Sequence, residues 1–240
     1  MSTSIFYFKQ FSVKQEKSGL KIGTDAILLG ALSELNATTE LILDVGTGTG
    51  VIALMLAQKN KNNAKIIGIE INENAAQEAS ENFLNSKWNL NLTCLNISFQ
   101  EFSKLYFKNI DLIVSNPPYF INSLKSKSLA KSVAKHNQEL SFFELIEHSA
   151  QLLSPIGELH VIIPANETDK FCAIAKAKGL FVKKIYWIKS SETSTAKRVT
   201  LFFSFKLIEA SEKTIIIRNI KNNNYSEQYK ILTKDFYINL

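Results

Sequence analysis

The middle of the chain alternates short apolar segments with segments of helical periodicity, and this alternation restricts the fold most. The apolar segments predict five strands, at 41–45, 65–70, 92–95, 110–115 and 157–163. Helical patterns lie between and after them, at 51–57, 74–85, 142–153 and 170–178. Strands that are apolar on both faces and joined through helices are typical of a parallel sheet covered on both sides. Because such crossovers are right-handed, the sequence predicts a doubly wound α/β fold.

Two more strand patterns follow, at 180–188 and 198–208, with little helix between them. They predict a C-terminal antiparallel hairpin at the end of a mostly parallel, seven-stranded sheet. We expect a single domain over residues 1–240, with the core at 36–209 and attachments at 1–35 and 210–240, because neither attachment could bury a core alone. The attachments carry short patterns of their own: strands around Phe6–Val13 and at 215–217, and helices at 24–32 and from about Ser226.

A glycine-rich loop follows the first core strand. Asp44 lies near the end of that strand, and Gly46, Gly48 and Gly50 follow at alternate positions. Glycine permits a sharp turn into the next helix and lets backbone N–H groups approach a ligand. Glu70 ends the next strand, where a carboxylate can accept both hydroxyl protons of a ribose. Asp44 suits a cationic ligand and would be unfavourable beside a diphosphate.

The fourth strand runs into Ser115-Asn-Pro-Pro-Tyr119. Two successive prolines stiffen this loop at the carboxyl end of a strand, where open α/β sheets place their ligands. The Asn116 side-chain oxygen and the Pro117 carbonyl are predicted to accept the two hydrogens of an –NH2 group, and Tyr119 offers a flat face for stacking. Accepting both hydrogens favours a pyramidal nitrogen, whose lone pair is then available for a displacement reaction.

The glycine loop, the following acid and Asn-Pro-Pro-Tyr together resemble the motifs of Rossmann-like, S-adenosylmethionine-dependent methyltransferases that modify the amino groups of adenine and of protein glutamine. A wider match, which spans most of the chain, resembles the bacterial tRNA1(Val) adenine-37 N6-methyltransferases. It comprises Phe8–Phe11, Leu20–Gly30, Leu54–Gln58, Asn224–Tyr229 and Phe236–Tyr237. The resemblance implies transfer of a methyl group from S-adenosylmethionine to the N6 amino group of an adenine in tRNA, in the cytoplasm.

The site residues follow from the motifs and the resemblance together. The predicted catalytic residues are Asn116, Pro117 and Tyr119, and the predicted cofactor-binding residues are Lys21, Thr24, Asp25, Asp44, Gly46, Gly48, Gly50, Glu70 and Asn96. The resemblance implies that Lys21, Thr24 and Asp25 lie near the methionine end of the cofactor. Asn96 ends the third strand, where the family often has an aspartate that binds the adenine amino group. Asparagine can accept that bond through its carbonyl oxygen.

Positive charge favours a polyanionic partner. The formal net charge is +6 and the sequence pI is about 9.1. We predict that a cluster of basic residues contacts RNA phosphates: Lys125, Lys127, Lys131, Lys135, Lys183, Lys184, Lys197 and Arg198. The alternative is that these residues form ordinary solvated faces. We expect tRNA as the partner of a monomeric enzyme that requires no metal.

Other features exclude classes of protein. No apolar run reaches the roughly 18 residues of a membrane span, and the N-terminus lacks a signal-peptide pattern. Cys94 and Cys172 lack the spacing of a zinc site. A DNA adenine methyltransferase would need a target-recognition domain, for which there is no room.

Two alternatives stay open at this point. A glutamine methyltransferase acting on a release factor would share Asn-Pro-Pro-Tyr, because a carboxamide also presents –NH2. It would be expected to carry a helical N-terminal domain, whereas about 40 residues, partly strand-like, precede the first core strand here. The other alternative is a non-catalytic RNA-binding protein of the same fold, against which the intact Asp44, Glu70 and Asn116 argue.

Overall fold

The structure is a computed structural model that describes residues 4–19, 21–106, 109–117 and 140–239. The strands are β1 (Ile5–Tyr7), β2 (Ser12–Lys14), β3 (Leu41–Val45), β4 (Lys65–Glu70), β5 (Leu92–Asn96), β6 (Ile110–Ser115), β7 (Leu153–Pro164), β8 (Phe181–Lys189), β9 (Arg198–Ser204) and β10 (Ser211–Ile216). The helices of the described residues are α1 (Thr24–Leu32), α2 (Val51–Lys59), α3 (Glu73–Leu84), α4 (Phe99–Leu105), α5 (Phe142–Leu152), α6 (Thr168–Ala177) and α7 (Glu227–Thr233).

Within the described part of the chain, eight strands form one sheet in the order β10-β8-β9-β7-β6-β3-β4-β5. β9 runs antiparallel to β7 and β8, and the other neighbouring pairs are parallel. The chain places β4 and β5 on one side of β3 and then returns to the other side of β3 for β6. This reversal makes a topological switch point between β3 and β6, and ligands of such sheets bind there, beyond the carboxyl ends of the strands.

The predicted fold class is confirmed: the sheet is mostly parallel, and β8 and β9 form the C-terminal antiparallel hairpin. The predicted number of seven strands is wrong, because β10 pairs in parallel with β8 as an eighth strand. α4 was not predicted from the sequence. Its signal is a capping box, in which the Ser98 side chain accepts from the Glu101 backbone N–H and the Glu101 carboxylate accepts from the Ser98 backbone N–H.

The strand β3 is apolar on both faces because helices cover both faces of the sheet. Ile42 packs with α1 and α2, whereas Leu43 and Val45 pack on the opposite face of the sheet with residues of α5 and α6. Successive side chains of a strand point to opposite faces, and both faces are covered here. α2 is buried along its whole apolar run, Val51–Ala57, because the attachments and α1 cover the side of α2 that faces away from the sheet.

The two attachments pack against each other. Phe8 forms an antiparallel bridge with Tyr237, and the backbone N–H of Lys9 donates to the Phe236 carbonyl at 2.8 Å. α7 also contacts α1. Among the described residues, no helix is both long and apolar enough to cross a membrane.

Candidate active site

Four neighbouring strands bring predicted site residues to one edge of the sheet. Asn116 follows β6, Gly46 follows β3, Glu70 ends β4 and Asn96 ends β5. The last residues of β3 and β6 are register partners, as are Glu70 and Asn96. The predicted substrate loop and the predicted cofactor loop therefore begin side by side at the switch point.

The backbone of the glycine loop shows why glycine is needed at three alternate positions. Gly46, Gly48 and Gly50 have φ angles of 70°, 55° and 80°, in the left-handed region that favours glycine. Among the described residues, no atom would lie within 4 Å of a Cβ on Gly46, so these residues leave open space beside the loop. A Cβ on Gly50 would lie 2.5 Å from the Phe83 ring, so this third glycine also allows α3 to pack closely.

Asp44 lies beneath this loop and is fully buried. Its Oδ2 accepts from the Thr47 hydroxyl at 2.6 Å and from the Ala53 backbone N–H at 3.2 Å. Its Oδ1 has no hydrogen-bond partner among the described residues. Burial raises the pKa of the Asp44 carboxyl to about 7, against the lowering effect of those two hydrogen bonds.

Asp44 has no exposed surface in this structure, so it acts on the shape and charge of the loop above it. Its role in cofactor binding stays a prediction. Thr47, whose hydroxyl holds the Asp44 carboxyl, was not among the predicted site residues. The available signal was Gly68 in β4, because a Cβ there would come within 3.0 Å of the Thr47 side chain.

Glu70 is half-buried at the end of β4, and its two carboxylate oxygens have different backbone partners. Oε2 accepts from the Gly48 N–H at 3.0 Å, and Oε1 accepts from the Asn72 N–H at 2.9 Å. These bonds fix the carboxylate against the glycine loop. Since each carboxylate oxygen can accept more than one hydrogen bond, both retain capacity for a pair of hydroxyl groups.

The Asn96 amide has a defined orientation. Its Nδ2 donates to the carbonyls of Glu70 and Ile71, at 2.8 and 3.1 Å. With the amide nitrogen used in this way, the carbonyl oxygen of Asn96 is the atom available to accept a bond from an amino group. That is the role that an aspartate would otherwise perform at this position.

The helix α1 begins at the same edge. Lys21 and Thr24 are exposed near its start, and Asp25 accepts from the Arg198 Nε at 2.8 Å. Arg198 begins β9 and is the register partner of Pro164, the last residue of β7, so the ion pair lies at the carboxyl edge of the sheet. The structure thus joins a predicted cofactor residue to a predicted RNA residue.

The substrate loop is described in part. Asn116 is half-buried and Pro117 is buried. The Ser115 hydroxyl donates to the Val45 carbonyl at 3.0 Å and ties the ends of β6 and β3 together. The predicted residues Tyr119, Lys125, Lys127, Lys131 and Lys135 lie outside the described residues.

Lys183 and Lys184, which are predicted to contact RNA, lie apart from the other predicted site residues. Both lie in the first half of β8, towards the amino ends of the parallel strands and away from the candidate site. Lys183 pairs with Glu158 at 2.7 Å, and Lys184 pairs with Glu34 at 2.6 Å. Lys197 differs from these two, because it directly precedes β9 at the carboxyl edge.

The residues present fit S-adenosylmethionine. The open space beside Gly46 leaves room for a ligand against the loop backbone. The Glu70 carboxylate can accept ribose hydroxyls, and the Asn96 carbonyl oxygen can accept from the adenine amino group. The acidic group beneath the loop is compatible with a sulfonium cation. Among the described residues, no group of three or more His, Cys, Asp or Glu side chains could hold a metal ion.

Comparison with known proteins agrees with this geometry. The family model described as methyltransferase small domain matches residues 16–176. The chain belongs to this family. A relative from Flavobacterium psychrophilum is 40% identical over 98% of this chain and 100% of its own length. A relative from Bacteroides fragilis is 38% identical over the full length of both chains. Both relatives carry the name tRNA1(Val) (adenine(37)-N6)-methyltransferase.

Solved structures of methyltransferases share the fold. A predicted O-methyltransferase from Agrobacterium tumefaciens superimposes with a TM-score of 0.68 at 17% identity, over 88% of this chain and 96% of its own. The TYW2 protein of M. jannaschii, solved in complex with AdoMet, has a TM-score of 0.55 at 15% identity, over 83% of this chain and 85% of its own. The predictions of a methyltransferase and of S-adenosylmethionine as its cofactor are confirmed.

Proposed function

We propose that this methyltransferase transfers a methyl group from S-adenosylmethionine to the exocyclic N6 amino group of adenine 37 in tRNA1(Val). The observation that carries the proposal is the juxtaposition of two loops at the switch point. The glycine loop with Glu70 supplies a cofactor edge, and Asn116 with Pro117 supplies adjoining acceptors for an amino group. The full-length relatives named for this reaction support the choice of substrate.

In this reaction the main role of the protein is to position the amino group of the substrate. The cofactor supplies an electrophilic methyl group on a sulfonium. The Asn116 side-chain oxygen and the Pro117 carbonyl hold the two N6 hydrogens, so that the nitrogen lone pair points at the methyl carbon. When bound, S-adenosylmethionine would donate its methyl group in a direct in-line displacement with S-adenosylhomocysteine as the leaving group, and the methylated nitrogen would give up one proton to solvent. No covalent enzyme intermediate is needed.

Adenine 37 must leave its stack beside the anticodon to reach Asn116. Unstacking a base costs a few kcal/mol, and an aromatic side chain that stacks on the displaced base returns about 1–3 kcal/mol. Tyr119 follows Asn116 by three positions and supplies such a ring. We assign Asn116 to the transition state and Tyr119 to capture of the base.

The direct test is single-turnover methylation of an unmodified tRNA1(Val) transcript by the purified enzyme. A matched transcript with guanine in place of adenine 37 is the control, and a release-factor peptide containing glutamine tests the other amino substrate. We expect one methyl group per adenine-37 transcript and none on the other two. Methylation of the guanine transcript at an equal rate, or of the peptide alone, would refute the assignment.

A further inference from the structure

The segment 14–18 begins at Lys14, the last residue of β2, and lies against α3, which contacts it through two buried polar side chains. Glu78 and Asn82 are one helical turn apart, and each is only 2% exposed. They interrupt a helix face that otherwise packs through Ala75, Ala79 and Phe83. Buried polar groups of this kind are costly unless they are fully hydrogen-bonded, so their partners show what they hold.

Glu78 binds three successive backbone N–H groups. Its Oε1 accepts from Glu16 at 2.5 Å and from Lys17 at 2.9 Å, and its Oε2 accepts from Ser18 at 2.8 Å. These residues belong to neither a helix nor a strand, so the carboxylate replaces the bonds that regular structure would provide. Hydrogen bonds to a charged group are stronger than neutral ones, and Glu78 therefore fixes the path of this segment.

Asn82 joins the same segment to the glycine loop. Its Oδ1 accepts from the Lys14 backbone N–H at 2.8 Å, and its Nδ2 donates to the Lys14 carbonyl at 3.0 Å. The same Nδ2 donates to the Thr49 carbonyl, inside the loop, at 2.9 Å. The segment consequently lies beside the loop: a Cβ on Gly48 would be 4.0 Å from the Ser18 hydroxyl oxygen.

We propose that Glu78 and Asn82 are positioning residues for cofactor binding, which hold the segment 14–18 against the glycine loop as one wall of the cofactor cleft. The proposal rests on the proposed function only in placing the cofactor beside this loop. Neither side chain contacts the cofactor directly. They act through the position of the Ser18 end of the segment and through the carbonyl of Thr49.

The test compares Glu78→Gln with Glu81→Gln on the same helix. Glutamine retains one acceptor oxygen but turns an amide N–H group towards one of the three backbone donors. Glu81 contacts the same segment only through partly exposed ion pairs with Lys14 and Lys17, at 3.5 and 3.1 Å. Surface pairs of this kind contribute little, which makes Glu81→Gln a matched control.

The measurements are calorimetric affinity for S-adenosylhomocysteine, amide hydrogen exchange at residues 16–18, and the KM and kcat of methylation. Glu78→Gln should weaken binding about tenfold, the usual cost of leaving a buried donor unsatisfied, and should speed exchange at those amides. KM for the cofactor should rise while kcat at saturation changes little. Glu81→Gln should stay within about twofold of the wild type.

Unchanged affinity in a folded Glu78→Gln protein would overturn the inference, and so would a loss of kcat with unchanged KM. If Glu78→Gln does not fold, the affinity of Asn82→Asp for S-adenosylhomocysteine is the deciding measurement. That change keeps the acceptor for Lys14 but loses both donated bonds, so unchanged affinity would again overturn the proposal. A wild-type protein that binds no S-adenosylhomocysteine would instead contradict the proposed function.

Discussion

At the scale of single residues, burial in the fold changes the acid–base chemistry of Asp44. Burial places its pKa at about 7 in the folded protein, well above the ordinary value of 3.8. A raised carboxyl pKa means that the folded state binds a proton that the unfolded state releases. The associated stability is therefore fully present below the ordinary pKa and is lost as the pH rises through about 7.

This shift predicts a pH dependence that one isosteric variant removes. Between pH values of about 4 and 7, the free energy of unfolding of the cofactor-free wild type should fall relative to that of Asp44→Asn, which cannot ionise. Chemical denaturation of both proteins at a series of pH values measures the difference. Curves that remain parallel across this range would contradict a raised pKa at Asp44.

Asn116 and Tyr119 should fail in different ways, because one acts on the transition state and the other on the captured base. Asn116→Ala should lower the single-turnover rate by about a hundredfold, as for other preorganised polar contacts, with tRNA affinity little changed. Tyr119→Ala should weaken productive binding, whereas Tyr119→Phe should retain most activity because the ring remains. A near-normal rate in Asn116→Ala, or a Tyr119→Phe protein as inactive as Tyr119→Ala, would show that this division is wrong.

At the scale of elements, the sequence predicts those whose signal is local. The apolar run at 41–45 is a strand in the structure with the same bounds, and the loop glycines form the predicted turn into the next helix, with left-handed backbone angles. β10 was harder to predict as part of the sheet, because a short edge strand has few buried residues and joins it only through pairing with β8.

The candidate site likewise contains residues that local sequence motifs predict and residues that they do not. Gly46, Glu70, Asn96 and Asn116 could be predicted, because each lies at a strand end within a recognisable motif. Glu78 could not be predicted, because the backbone groups that it binds lie about 60 residues earlier in the chain. The ion pair of Lys184 with Glu34 joins residues 150 positions apart, so no local sequence pattern could predict it.

The edge of the sheet on which a lysine lies should decide whether it contributes to RNA binding. Lys197 lies at the carboxyl edge, whereas Lys184 lies towards the other edge and is paired with an acid. Lys197→Ala should therefore flatten the plot of log affinity for tRNA against log salt concentration by a little under one unit. Lys184→Ala is the matched control and should leave the slope unchanged. Equal slopes for all three proteins would remove Lys197 from the RNA surface.

At the scale of the whole molecule, two separate parts of the chain complete the cofactor edge. The N-terminal attachment supplies the segment at 14–18 and the start of α1, and the core supplies the glycine loop and Glu70. The C-terminal attachment contacts α1 and pairs with the N-terminal attachment at Phe8, so it helps to hold the N-terminal attachment in place. This arrangement agrees with the match to full-length relatives over almost the entire chain, attachments included.

Methylation of N6 of adenine 37 in tRNA1(Val) is the reaction that we propose for this enzyme. The most direct measurement is mass spectrometry of nucleosides from tRNA1(Val) isolated from cells with and without the gene, with fragments mapped to position 37. We predict N6-methyladenine at position 37 in tRNA from cells with the gene and unmodified adenine there in tRNA from cells without it. The modification should return when the wild-type enzyme is supplied, but not when Asn116→Ala is supplied. N6-methyladenine at position 37 in both samples would contradict the proposed reaction.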